Sequence, residues 1–370
     1  MTCYSTAAHK GIIWLRLLLL VLIVVPFMLT VNAQSASVTQ IPLDAAATIA
    51  VSPDGTLVAA ATNAVLLNDQ VEPQYLPIQL IDLSTGKSIG QLTGASDYAG
   101  GLAFSPDGKT LATAHNNGVL NLWDIASKSI KTSFVIGPPT RGHLIAFLPA
   151  RQQIVLNESV PVPTLTLWDT SSGAMVKYLT QHFDSYDQFG QLMNDQPLQD
   201  YVSAFAVSPD GTTIVAATAQ DDIWRWNVAD GSGTELVDSG SKIPYFDIRQ
   251  ISFTADGSSI YYFAQQQNEL DGWNLATNSA TTPVKLTATA AVVSPDGQTI
   301  ASVQNKGDSV TFQPISGSGS PTEVKLPSGV PLTATLTFTA DGKKLIVNGV
   351  SNGADHTQGS LNVVQTPSAS

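Results

Sequence analysis

Cysteine is almost missing: Cys3 is the only one in 370 residues. It sits in an apolar N-terminal leader, so a body freed of that leader has none. That excludes disulfides, thiolate metal sites, covalent haem and cysteine nucleophiles together. Charge is scarce too, at 12% of residues, and it leans one way, with 17 Lys and Arg against 29 Asp and Glu. The formal net charge is −12, and the leader holds Lys10 and Arg16 but no acid, so the body is more acidic still. With no Lys/Arg cluster to offset it, this charge repels phosphate backbones and argues against a nucleic-acid partner. Low charge with 43% hydrophobic residues also excludes a disordered chain. There is also no phosphate-cradling Gly-x-x-x-x-Gly-Lys-Ser/Thr loop. His115, His143, His182 and His356 show no spacing such as His-x-x-x-His. No catalytic residue, metal site or cofactor is therefore assigned.

What is present begins with residues 1–33, which read as a signal peptide. Lys10 and Arg16 precede an apolar run over 17–29, and Val31-Asn32-Ala33 offers a cleavage site before Gln34. The alternative is an uncleaved membrane anchor over 11–31, which reaches spanning length only by including Arg16. The expected location is extracytoplasmic, secreted or periplasmic or at the cell surface, with membrane association only if the leader stays.

One motif then recurs. Ser52-Pro53-Asp54-Gly55 returns as Ser105-Pro106-Asp107-Gly108, Ser208-Pro209-Asp210-Gly211 and Ser294-Pro295-Asp296-Gly297. Thr254-Ala255-Asp256-Gly257 and Thr339-Ala340-Asp341-Gly342 are variants, and Leu148-Pro149-Ala150-Arg151 is a degenerate copy. Before each turn run apolar, mostly small, apolar residues, as in Ile49-Ala50-Val51 and Leu102-Ala103-Phe104. Period two means a strand. A second strand follows, marked by Val58, Leu111, Ile154, Ile214, Ile260, Ile300 and Leu345. Pro sets φ, Asp bonds nearby amides and Gly tolerates positive φ, which suits a hairpin. A third strand ends each unit, as at 78–82 and 361–365, and most units add a fourth. Four short strands per unit, repeated at about 40–45 residues, imply propeller blades. Two intervals are longer and hold insertions.

Trp123-Asp124 and Trp168-Asp169 end third strands, and Trp226-Asn227 and Trp273-Asn274 nearly match. These dipeptides resemble the signature of the WD-repeat family, and the turns resemble Ser-Pro-Asp-Gly propellers. The resemblance spans about 38–366 and departs in lacking Gly-His dipeptides, save Gly142-His143. It implies an all-β, seven-bladed β-propeller of four-stranded antiparallel blades over 34–366, with a short tail at 367–370. The orphan segment 38–43 is expected to close the ring by completing the last blade beside 361–365. Trp123, Trp168, Trp226 and Trp273 fall at periodic packing positions, and His115 and His143 at strand ends.

Long insertions occupy 63–77, 157–164, 181–200, 240–247 and 350–359, all on the face opposite the Asp-Gly turns. Loops on a rigid scaffold carry function disproportionately. The richest holds His182, Phe183, Asp184, Tyr186, Asp187 and Phe189, followed by Tyr201; Tyr75 and Tyr245 lie in two others. Aromatics beside acids suit recognition. Asp184, Asp187 and Asp195 lack EF-hand spacing for calcium. The expected function is a non-catalytic scaffold binding a protein partner. The alternatives are a lactonase- or hydrolase-like propeller with a site at the channel mouth, or a glycan-binding module.

Overall fold

The structure is a computed structural model. It describes residues 37–43, 47–62, 77–138, 144–158, 164–179, 202–219, 221–239, 247–304, 309–327, 334–350 and 359–367. These form seven antiparallel sheets and no helix. In the second blade the strands are Ala99–Phe104, Thr110–His115, Val119–Asp124 and Ser129–Val135, hydrogen-bonded in that order. The other blades repeat the order with one variation. In the fifth, the outer strand is split into Ser279–Ala280 and Val284–Lys285, both paired to Glu269–Asn274.

The last blade is completed as the sequence implies. Val38–Leu43 runs antiparallel to Gly359–Gln365, with Val38 opposite Val364 and Leu43 opposite Gly359. The first strand of the body thus supplies the outer strand of the last sheet.

The alternation read from the sequence decides which blade each side chain meets. Ile49 and Val51 join a cluster with Ile41, Leu43, Ile346, Leu361 and Val363 of the seventh blade. Ala50, between them, points the other way, against Leu102 and Phe104 of the second. The same division holds around the ring, so there is one apolar cluster per seam between blades. The small middle column lets the sheets approach near the axis. Trp123 and Trp226 are buried and Trp168 and Trp273 half-buried, all within seam clusters, as their periodic positions require.

The turns show why Ser or Thr stands first. Ser52 donates its hydroxyl to Asp54 Oδ1 at 2.6 Å, and the Thr56 amide donates to the same oxygen. The Leu57 amide in turn donates to Ser52 Oγ at 2.9 Å. Five further turns repeat the hydroxyl-to-carboxylate bond. The degenerate third turn has neither group. It buries Leu148 instead and takes its left-handed residue at Ala150, φ 56°, whereas Gly211 in the next turn has φ 69°.

Candidate interaction face

Neighbouring turns interlock. A Cβ on Gly211 would lie 2.4 Å from the Pro149 carbonyl oxygen of the preceding turn. Gly55 of the first turn meets Thr339 of the seventh in the same way, so the circle of turns is closed. All Asp-Gly turns therefore share one face. Because each blade is antiparallel, the strand ends flanking 63–76, 159–163, 180–201, 240–246 and 351–358 meet the opposite face.

The nine residues expected to contact a partner, Tyr75, His182, Phe183, Asp184, Tyr186, Asp187, Phe189, Tyr201 and Tyr245, lie outside the described residues. So do His143, His356, Asp195 and the leader. No helix among the described residues is long and apolar enough to cross a membrane.

On that opposite face, carboxylates step from the fourth blade to the fifth. Asp221, at φ 67°, accepts from the Asp247 and Ile248 amides at 3.0 and 3.1 Å. Asp247 accepts from the Gln266 amide at 2.7 Å, and Asp222 from the Ser239 amide at 2.7 Å. Burial pushes the carboxyls of Asp221 and Asp222 up; the bonded amides oppose it, and neighbouring acids reinforce it. Asp222, Glu235 and Asp238 bring ligand oxygens within 4.8 Å of one another. Burial also raises Glu235, with Asp222 and Asp238 adding to the effect. Such oxygens have the chemistry of a hard-cation ligand set, and a proton relieves the same repulsion. Sequence spacing did not reveal this cluster, because its members come from a loop and an outer strand brought together by pairing.

The turn face uses carboxylates in the opposite sense. Hydroxyl donors from Ser84 and Ser171 hold Asp82 and Asp169 down at about 2. The Ser or Thr two residues earlier lowers Asp54, Asp107, Asp210, Asp256 and Asp341 in the same way.

Two further features escaped sequence reading. Among the described residues the large exposed apolar side chains are Ile89, Ile130, Val135, Met175, Val176 and Tyr178. All lie on the outer strands of the first three blades. The second is a polar chain inside the second blade. Trp123 Nε1 donates to Thr113 Oγ1 at 2.9 Å, and Thr113 Oγ1 lies 2.7 Å from Nε2 of the buried His115. His115 Nδ1 lies 2.9 Å from the Asp97 carbonyl. A carbonyl can only accept, so Nδ1 carries the proton and Nε2 accepts. The expected structural role of His115 holds: it is buried and bonded to Thr113 and to the Asp97 carbonyl.

A closed ring of seven four-stranded sheets is a β-propeller. The family described as "WD domain, G-beta repeat" matches residues 86–124, the outer strand of the first blade and three strands of the second. This chain is therefore a seven-bladed β-propeller, one of whose repeats is similar to the WD family. It is 24% identical over 170 residues to "Anaphase-promoting complex subunit cdc20" of Dictyostelium discoideum, covering 38% of this chain. The match spans 34% of that relative, about a third of its length. Among solved structures, the Myceliophteria thermophila Cps50 (Swd1) β-propeller domain aligns with a TM-score of 0.65 at 13% identity. That alignment covers 89% of this chain and 100% of the other and establishes a shared fold. The matched repeat is offset from the blade by one strand, the offset that leaves Val38–Leu43 to close the ring.

Proposed function

We propose that this chain is an exported, non-catalytic scaffold that binds a protein partner through the face bearing its long inter-strand segments. The observation that carries this reading is the one-sidedness of the ring. One face repeats a four-residue turn, while the strand ends of the other flank every long interval. A rigid ring with variable segments on one side separates stability from recognition. WD-repeat propellers commonly serve as interaction scaffolds, which supports a protein partner. Export rests on the leader over 1–33, and aromatic-acidic recognition on the composition of 181–200.

The test is affinity capture with the chain and with a Tyr186→Ala/Phe189→Ala variant. Partner recovery should fall at least tenfold in the variant, about 1.4 kcal/mol. Equal recovery with unchanged thermal melting would remove this face from the reading. For export, the N-terminus of the secreted protein should begin near Gln34; an intact Met1 would point to the anchor.

A further inference from the structure

The turn face contains a cleft that its repeat does not predict. In the first, second, fourth and sixth turns the residue after serine is proline. The rings of Pro53, Pro209 and Pro295 each face the glycine of the next turn, Gly108, Gly257 and Gly342. As Ala340 does in the seventh turn, Ala255 takes that position in the fifth. Beside it, between the fifth and sixth turns, lies a cleft of about 340 Å³. The Ala255 amide donates to the Pro295 carbonyl at 2.7 Å and holds the two turns together around it.

The lining is chemically one-sided. Asp256 and Asp296 contribute carboxylates, Tyr261 an aromatic ring, Gln298 an amide, and Ala255 and Pro295 an apolar wall. No lysine or arginine lines it. Two other turns carry their own cation, since Lys109 and Lys343 directly follow the turn glycines of the second and seventh blades, while Thr56 and Thr212 follow those of the first and fourth. Lys343 Nζ lies 3.6 Å from Asp341. In the fifth and sixth turns Ser258 and Gln298 occupy that position instead. The bonds that these two carboxylates accept go to Oδ1, from Thr254 and Ser258 on Asp256 and from Ser294 and Gln298 on Asp296. Among the described residues no hydrogen bond reaches Oδ2 of either carboxylate. Asp256 lies close enough to Tyr261 to add to the upward push that burial gives its phenol.

We infer that this cleft receives the guanidinium of an arginine side chain presented by a protein partner. A planar cation matches carboxylate oxygens through paired N–H bonds and stacks on an aromatic face, and its methylene stem suits an apolar wall. Anionic ligands are disfavoured by the two carboxylates and by the charge of the whole body. An adjoining cleft of about 280 Å³ shares Ala255, Pro295 and Asp296 and is lined by Phe312 and Phe338, which offers room for an apolar neighbour of that arginine. This surface is on the opposite face from the long segments, so it is independent of the reading above.

The probe is the capped tripeptide acetyl-Gly-Arg-Gly-amide, titrated into the full chain by NMR or calorimetry. The control is the same peptide with neutral, isosteric citrulline. Binding at low-millimolar affinity, at least tenfold tighter than citrulline, is expected. Asp256→Asn/Asp296→Asn should weaken it at least tenfold. The asparagine oxygens still accept the turn bonds, so the fold survives. Gln298→Lys, which copies the lysine of the second and seventh turns, should abolish binding by supplying the cation internally. Equal affinity for the two peptides, no binding of either, or unaltered binding in both variants would overturn the assignment. Tyr186→Ala/Phe189→Ala should leave this binding unchanged, so failure of one reading is distinguishable from failure of the other.

Discussion

The two faces of the ring spend the same residue type in opposite ways. On the turn face an aspartate sits exposed, accepts two or three local donors and is held below its ordinary range. On the opposite face Asp221 and Asp222 are half-buried among other acids and are pushed up. The first arrangement stabilises the fold as the charged form. The second is a strain on the charged form that the neighbouring turns and seams tolerate. Structural aspartates therefore recur with the motif, while the costly ones fall where the chain is irregular.

A cut through the feature both faces share should have the largest effect. Removing residues 37–43 exposes the edge of Gly359–Gln365 and deletes Ile41 and Leu43, each under 5% exposed. Those two side chains alone contribute about 3–6 kcal/mol. The thermal midpoint should fall by roughly 10 °C or more, measured by circular dichroism. An unchanged midpoint would mean that the ring does not depend on this closure.

The next test separates regular from irregular geometry within the turn face. Gly211→Ala meets both a left-handed φ and the Pro149 carbonyl of the degenerate third turn. It should cost about 2–3 kcal/mol. Gly257→Ala has the same φ but only an ordinary contact, 3.5 Å to Pro209 Cδ. It should cost about 1–2 kcal/mol, from the backbone alone. Equal losses in urea melts would show that the interlock between turns adds nothing.

How much of this was legible follows the same division. The period-two columns of Ile49-Ala50-Val51 and its six counterparts gave the blades, because each side chain has one fixed neighbour across a seam. Val38–Leu43 was legible as the missing outer strand because the count of strands demanded it. The contact surfaces were not. The Asp222, Glu235 and Asp238 cluster depends on which loop an outer strand passes, and no spacing encodes that. The cleft beside Ala255 was visible only as alanine in place of proline, a substitution that Ala340 shares, and that signal needs the neighbouring turn to acquire meaning. His115 could be read as structural, but its link to Trp123 through Thr113 spans two strands.

The smallest effect carries the sharpest contrast, because its sign reverses between faces. Asp169 has a folded value near 2 against an ordinary 3.8. A depressed value means stability is present above the unfolded value and lost as pH falls toward the folded one. The same direction holds for Asp54, Asp107, Asp210, Asp256 and Asp341, so melting should decline through the window from about 3.8 to about 2. Asp222 runs the other way. Its raised value means the folded state holds the proton more tightly, so its penalty is present near neutrality and relieved as pH falls through that value. Asp222→Asn should therefore raise the midpoint slightly at pH 7, since asparagine still accepts from the Ser239 amide. The difference from the parent should vanish near pH 4, whereas Asp169→Asn should lower the midpoint at pH 7 and converge on the parent only below pH 3. Both variants shifting in the same direction at pH 7 would erase the distinction between the faces.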